Sequence, residues 1–251
     1  MKNNILLLGG SGTLGKSIKK SKLFLRLKSP SKKNLNILNK NGLEKYLNKN
    51  DINLIIHCAA LARVRECELN RTKAEKVNVT GTKNIVDSIL RIKKYQNKDI
   101  KLIFLSSDAV YSSIKGNFKE TDNLSPYNVY GHTKLKGERL VKKLDNYIIL
   151  RTRFFDKKKI PFNYSATNIY TSSLEVSKLV RYISKLIKKN FHGVINVGRP
   201  KISDYKNYKK YKKKLKPCDK SKIFNKLNFK IATDASLNLK KLNRILWKKF
   251  R

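Results

Sequence analysis

Apolar residues in this chain come as short unbroken runs separated by amphipathic stretches. The runs "NILLL" at 4–8, "LFLRL" at 23–27, "INLIIH" at 52–57, "KLIFLS" at 101–106 and "YIIL" at 147–150 read as strands. Continuous apolar runs, as opposed to alternating ones, suit strands buried on both faces of a parallel sheet. Between them the spacing predicts helices near 13–20, 42–48, 71–94 and 127–143. Strand and helix in alternation are the mark of βαβ units, so residues 1–151 are expected to form an α/β, doubly wound parallel sheet. After Arg151 the pattern loosens. A helix near 174–189, a strand "GVINV" at 193–197 and a basic helix near 237–249 predict a small lobe over 152–251 that completes the sheet and packs over its carboxyl edge. No internal repeat and no Gly/Ser linker interrupts the chain.

The length of 251 residues and an apolar fraction of 40% support a sizeable core and exclude a disordered tail protein. No apolar run reaches the roughly 18 residues of a spanning helix, and "MKNNILLLGG" runs into glycines where a leader would have a cleavage site. A cytoplasmic, non-membrane protein is expected. Cys58, Cys67 and Cys218 lack CxxC spacing, which indicates neither a disulfide framework nor a zinc site. The formal net charge is +42, from 59 Lys and Arg against 17 Asp and Glu. That is the footprint of a polyanion binder, but 47 of the 59 are Lys, and Lys, Asn and Ile together supply 96 residues. A coding bias spreads charge in this way, whereas a nucleic-acid site concentrates Arg and stacking aromatics. The one concentration is "YKNYKKYKKKLK" at 205–216. No specific nucleic-acid partner is expected, though weak salt-sensitive binding is.

Two segments carry candidate chemistry. "LLLGGSGTLG" places Gly9, Gly12 and Gly15, with Ser11, Thr13 and Leu14, directly after the first strand and at the mouth of a helix. Glycine there permits a tight turn and close approach of backbone to a pyrophosphate, whose charge the free N–H groups and dipole of the helix start stabilise. An acid normally binds the adenosine ribose at the end of the second strand, yet residues 1–43 contain none, and Arg26, Lys28, Lys32 and Lys33 surround that place. The expected cofactor is therefore NADPH, with NADH less suited.

A Tyr four residues before a Lys on a helix puts phenol and ammonium on one face, where the charge can lower the phenol pKa. The spacing occurs four times, at Tyr111, Tyr130, Tyr205 and Tyr208, so context must decide. Only Tyr130 with Lys134 lies in a helix after a strand that ends in hydroxyls, "FLSSDAVY", with Ser106 and Ser107 at the sheet's carboxyl edge. Ser106 ending the strand, His57 as a core imidazole, "HCAA" as a packing turn and Asn78 as a surface amide are the plain structural alternatives.

Taken in order, "GGSGTLG" at 9–15, "HCAA" at 57–60, "SSDAVY" at 106–111 and "KETDNLSPYNVYGHTKLKGE" at 119–138 resemble the extended short-chain dehydrogenase/reductases, and within them the dTDP-4-dehydrorhamnose reductase-like nucleotide-sugar reductases. The resemblance covers about the first 150 residues. It implies a Rossmann-like fold with Tyr130 as general acid, Lys134 orienting it and binding the nicotinamide ribose, and Ser107 holding the substrate carbonyl oxygen. It implies that Ala59 and Ala60 line the adenosine site, that Asn78 supports the active site on its substrate side, and that Arg151 contacts the nucleotide sugar. Asp108 favours the 4-ketoreductase branch over the epimerases. No metal is implied.

The chain also departs from that pattern. Arg65 stands where an acid often follows "HCAALARV", and "DKKKIPFNYSATNIYTSS" after "LRTRFF" is short and lacks the usual glycine turn. The expected function is NADPH-dependent reduction of the 4-keto group of a nucleotide-linked deoxysugar, in polysaccharide or glycan precursor synthesis. An epimerase or dehydratase on the same scaffold is the enzymatic alternative, and a cofactor-binding regulatory subunit without turnover is the alternative from another class. The expected partner is a nucleotide sugar. Leu239, Leu242, Leu246 and Trp247 in the last helix read as core or homodimer packing.

Overall fold

The structure is a computed structural model and describes residues 3–112, 114–225, 227 and 229–247. Five strands, β1 (Ile5–Leu8), β2 (Leu27–Lys28), β3 (Leu54–His57), β4 (Lys101–Leu105) and β5 (Tyr147–Thr152), join Gly193–Val197 in one six-stranded sheet. All its pairings are parallel, in the order β2, β1, β3, β4, β5 and then Gly193–Val197. Successive residues feed opposite cores. Leu7, Ile56, Ile103 and Leu150 pack on one face with Leu14 and Ile18 of helix α1 (Thr13–Lys20) and with Leu179 and Ile183 of the helix Val176–Lys188. Leu6, Ile55, Phe104 and Ile149 pack on the other with Ile85, Ile89 and Leu47. Both faces being covered explains why the strands read as unbroken apolar runs. The chain runs outward from β1 in both directions, so the topological switch lies between β1 and β3, where their carboxyl ends open a crevice.

One predicted strand is displaced. Residues 23–26 are not strand, and only Leu27–Lys28 pairs with β1, at Ile5 and Leu6. Arg26 has a φ of 53°, a left-handed conformation that a strand cannot contain, and Leu23 and Leu25 are exposed. The helix predicted at 71–94 comprises Arg71–Glu75 and Gly81–Gln96, joined by a π turn at Lys76–Thr80. Such wide turns recur at functional sites, and this one is centred on Asn78. The last predicted helix is helical from Lys240 to Trp247, with Leu242 and Leu246 in the core and Leu239 packed against it. The side chain of Trp247 and residues 248–249 lie outside the described residues.

Beyond β5 the chain forms two- and three-residue strands and short helices around the sheet's carboxyl edge. The lysine–tyrosine segment 205–216 belongs to this scaffold. Tyr208 packs edge-on to Phe155 and Phe162, with ring centroids 5.0 and 5.1 Å away. Lys212 Nζ donates to the carbonyls of Ile160 and Phe162, and Lys209 Nζ to those of Lys213 and Leu215. Tyr208 thus packs within the lobe and two of the lysines hold local backbone, while Tyr211 is exposed. No helix among the described residues is long and apolar enough to cross a membrane.

Candidate active site

The crevice at the switch point consists of two cavities, of about 610 and about 480 Å³, that share Gly9, Gly12, Cys58 and Ala60. The glycine loop forms the partition. Gly9 has a φ of +86°, and a Cβ there would stand 2.5 Å from the Ala59 nitrogen, so only glycine lets β1 and β3 release their chains this close together. Gly12 caps α1 and its N–H donates to the Gly9 carbonyl at 3.1 Å. Thr13, Leu14 and Gly15 face the larger cavity, Ser11 and Ala59 the smaller one, and Ala60 both. The bare helix start, without an acidic residue in its first turn, suits a pyrophosphate.

The basic residues that meet the smaller cavity match only in part those expected. Lys28 Nζ donates to Asn50 Oδ1 at 2.7 Å, and neither Arg26 nor Lys28 lines the cavity. Their places follow from the displaced strand, because β2 ends at Lys28 rather than at Leu27 and Ser29 is the first residue beyond it. Of the four expected, Lys32 does line it, together with Lys19, Ser29 and Ser31. Ser29 Oγ is buried without a hydrogen-bond partner among the described residues, an orphan that a ribose hydroxyl or phosphate oxygen would satisfy. The chain therefore fits a dinucleotide with an extra phosphate at its adenosine end.

Ser107, Tyr130 and Lys134 all line the larger cavity. Tyr130 and Lys134 come from the helix Val129–Val141, whose N-cap Asn128 accepts from the Gly131 N–H at 2.8 Å. A Cβ on Gly131 would stand 2.2 Å from the Ala109 carbonyl oxygen, so glycine lets this helix press on the turn Asp108–Val110 and brings Tyr130 to Ser107. Ser107 Oγ accepts from the Ala109 N–H and donates to Asp108 Oδ1 at 3.1 Å. Burial and the Asp108 carboxylate push the Tyr130 phenol up, against Ser107 and Arg153. The sequence expectation of a phenol lowered by Lys134 is thus reversed: Lys134 Nζ stands 6.0 Å from the Tyr130 ring centre and 4.7 Å from that of Phe104. Burial pushes Lys134 itself down to about 8. The result is a protonated phenol beside a largely charged ammonium at neutral pH, an arrangement that can donate a proton.

Two expected substrate contacts belong to the scaffold. Asn78 is 1% exposed and does not line the larger cavity. Its Oδ1 accepts from the Leu61 N–H at 2.7 Å, and its Nδ2 donates to the Leu61 carbonyl and to Thr133 Oγ1. It pins the Ala59–Leu61 loop to the helix that carries Tyr130. Arg151 shares the face of Ile149, which the helix Val129–Val141 covers. There it makes a 2.7 Å ion pair with Glu138 and donates to Tyr111 Oη and the Glu120 carbonyl. Ser106 Oγ donates to the same Glu138 carboxylate at 2.5 Å.

The arginine that reaches the cavity is Arg153, just past the end of β5. Its Nε lies 2.8 Å from Asp108 Oδ2, and burial of Asp108 outweighs this pairing, so that its carboxyl is pushed up. Asp204, Tyr127, Asn128 and Thr152 complete this wall. Asn128 Nδ2, Thr152 Oγ1 and Asp204 Oδ1 are enclosed without hydrogen-bond partners. None of these was singled out from sequence. Arg153 stands three residues past the run read as a strand at 147–150, and Asp204 sits on a corner between Ile202–Ser203 and Asp204–Lys209, each too short for periodicity to show. The one available signal was scarcity, since Asp204 is among only 17 acids. Among the described residues no group of three or more His, Cys, Asp or Glu could hold a metal.

Comparison with known proteins agrees with this geometry. The chain is 32% identical over 155 residues to a dTDP-4-dehydrorhamnose reductase of Aggregatibacter actinomycetemcomitans, covering 59% of this chain and 50% of that protein. It is 28% identical over 146 residues to methionine adenosyltransferase 2 subunit beta of Bos taurus, covering 55% of this chain and 42% of that one. The chain thus spans half or less of these relatives' length. A crystal structure of dTDP-4-dehydrorhamnose reductase from Bacillus anthracis in complex with NADP superposes with a TM-score of 0.84 at 24% identity, covering 97% of this chain and 93% of that one. This establishes the likeness of fold. The family model for the RmlD substrate binding domain matches residues 1–169, about two thirds of the sequence, and the chain belongs to that family.

Proposed function

We propose that the chain is an NADPH-dependent reductase of the 4-keto group of a nucleotide-linked deoxysugar, of the dTDP-4-dehydrorhamnose type, serving polysaccharide or glycan precursor synthesis in the cytoplasm. The observation that carries this reading is the meeting of Ser107, Tyr130 and Lys134 in a cavity continuous, across Gly9 and Gly12, with a basic nucleotide-sized one. A bound NADPH would supply the hydride. Lys19, Ser29 and Lys32 would hold its 2′-phosphate, and the start of α1 its pyrophosphate. Ser107 would donate to the keto oxygen while Tyr130, kept protonated by its burial, delivers the proton as the alkoxide forms. Lys134 would bind the nicotinamide ribose and favour the phenolate left behind. Residues 152–251 act in this reading as the substrate lobe.

The test is a fluorescence titration with NADPH and NADH at moderate salt, followed by NADPH oxidation with dTDP-4-dehydrorhamnose. Preferential NADPH binding and turnover that Tyr130→Phe abolishes are expected. Failure of a folded chain to bind either nucleotide would overturn the reading. Tight binding without turnover would favour a second one, a cofactor-bound regulatory subunit, which the similarity to a methionine adenosyltransferase subunit supports.

A further inference from the structure

Three charged side chains converge on the cavity wall opposite the glycine loop, brought there by three separate corners of the fold. Asp108 follows β4, Arg153 follows β5, and Asp204 opens the short helix Asp204–Lys209. Arg153 is tied to Asp108 at 2.8 Å, so one acid already answers its charge. Asp204 is the second acid, and its Oδ1 is enclosed with no hydrogen-bond partner although its charge is felt by Arg153. Its backbone N–H is fixed on the Ile169 carbonyl at 2.9 Å, and Ser203 caps the helix behind it, so the main chain that carries the carboxylate is anchored. An enclosed carboxylate oxygen without a donor is costly unless a ligand provides one. Burial pushes the Asp204 carboxyl up to about 6, which leaves it mostly ionised, as an acceptor, at neutral pH.

We propose that Asp204 and Arg153 form a sugar-hydroxyl recognition pair in this cavity. Asp204 Oδ1 accepts a hydrogen bond from a ring hydroxyl, Arg153 donates to a neighbouring oxygen, and the pair selects a neutral hexose over one bearing a carboxylate. The inference rests on the nucleotide-sugar reading and narrows its substrate class. Two acids against one guanidinium leave this wall without a spare cation. A sugar carboxylate turned toward Asp204 would set acceptor against acceptor, and rejection of such a mismatch is where hydrogen-bonding sites gain their discrimination. The anchor of the Asp204 backbone makes the acceptor preorganised.

The experiment is calorimetric titration of the full chain saturated with NADPH, using dTDP-rhamnose, its 2-deoxy and 3-deoxy forms, and dTDP alone. The ketone is already reduced, so nothing turns over. In the wild type, loss of the contacted hydroxyl should weaken binding roughly 10- to 100-fold, the size of a hydrogen bond to a charged group. In Asp204→Ala the same deoxy form should bind like its parent, and dTDP should bind both proteins alike. Asp204→Asn, nearly isosteric, repeats the cycle if the alanine variant does not fold. In a second pair, dTDP-glucuronate should bind the wild type at least roughly 10-fold more weakly than dTDP-glucose, a gap that Asp204→Asn narrows.

Equal losses in wild type and variant, or no preference among the deoxy forms, would show that Asp204 only balances the charge of Arg153 and would overturn the pair. Preference for glucuronate would overturn it as well, by showing Arg153 open to an acid. If the NADPH-bound chain takes up neither dTDP-rhamnose nor dTDP, the nucleotide-sugar reading itself fails, and the inference with it.

Discussion

Two arginines stand two residues apart at the end of β5 and have opposite surroundings. Beneath the helix Val129–Val141, Arg151 donates to Glu138, Tyr111 and the Glu120 carbonyl, and Tyr111 in turn donates to Asn196 of the neighbouring strand at 2.9 Å. On the cavity side Arg153 has Asp108, while Thr152, Asn128 and Asp204 each hold an enclosed polar atom with no hydrogen-bond partner among the described residues. Burial alone does not separate structural from functional charge here. Completeness does, because a buried polar network whose partners all come from the protein rigidifies the fold, whereas one left open expects a ligand.

The sharpest way to break this contrast is at the reacting atoms. Tyr130→Phe removes the hydroxyl and leaves a ring of nearly the same volume, so kcat should fall roughly 10²- to 10⁴-fold. NADPH affinity and thermal stability should stay near the wild-type values, because nothing in the scaffold rests on that hydroxyl. Loss of fold in this variant would mean that Tyr130 belongs with the closed network instead.

On the scaffold side the effect moves to stability. Glu138→Gln strips the buried Arg151 of its counter-charge and leaves a single amide oxygen where Arg151 and Ser106 shared a carboxylate, and breaking such a pair costs about 3–5 kcal/mol. Urea unfolding should register that loss in the midpoint. Arg153→Met, whose partner sits at a cavity, should cost less than half as much. Equal losses for the two would erase the distinction between the sites.

How much of this was legible beforehand follows the same line. The long strands and the glycine loop announce themselves through local pattern, and the placement of Ser107, Tyr130 and Lys134 follows from where their strand and helix end. Arg151 could be located from sequence but not given its partners, since these come from a helix 13 residues earlier and from loops beyond it. The second strand was misplaced because one residue in a left-handed conformation, Arg26, ends an apolar run that periodicity would continue. Asp204 was invisible because its meaning arises only when a corner about fifty residues downstream folds over the sheet.

A pH titration probes the network that holds the Ala59–Leu61 loop. Thr82 Oγ1 donates to the Asn78 carbonyl, so the His57 Nε2 that lies 3.1 Å from it must carry a hydrogen and donate. Burial pushes His57 down to about 3. An imidazole whose pKa is depressed on folding takes up its proton preferentially in the unfolded chain. Stability is therefore lost as pH falls from the unfolded value of about 6.5 toward 3, by up to roughly 1.4 kcal/mol per pH unit. Asp204, raised to about 6, acts in the opposite direction below that pH. The difference between wild type and His57→Asn isolates the imidazole, and it should shrink between pH 6.5 and 5. A difference constant with pH would show that His57 titrates alike in both states.

The smallest effect tests which lysines read the adenosine end. Lys19 and Lys32 line the smaller cavity, whereas Lys28 is engaged with Asn50, so Lys32→Ala and Lys19→Ala should each lower the NADPH to NADH affinity ratio, by roughly threefold to tenfold, while Lys28→Ala leaves it unchanged. The ratio is the informative quantity in a chain of net charge +42. The general field also favours the more highly charged NADPH, but a distant lysine adds little to that difference, whereas one beside the 2′-phosphate acts on it directly. Raising salt should weaken both and reduce the ratio through screening over about 10 Å at 0.1 M. A ratio that Lys28→Ala lowers and Lys32→Ala does not would move the phosphate beside Lys28, and with it the second strand to residues 23–27.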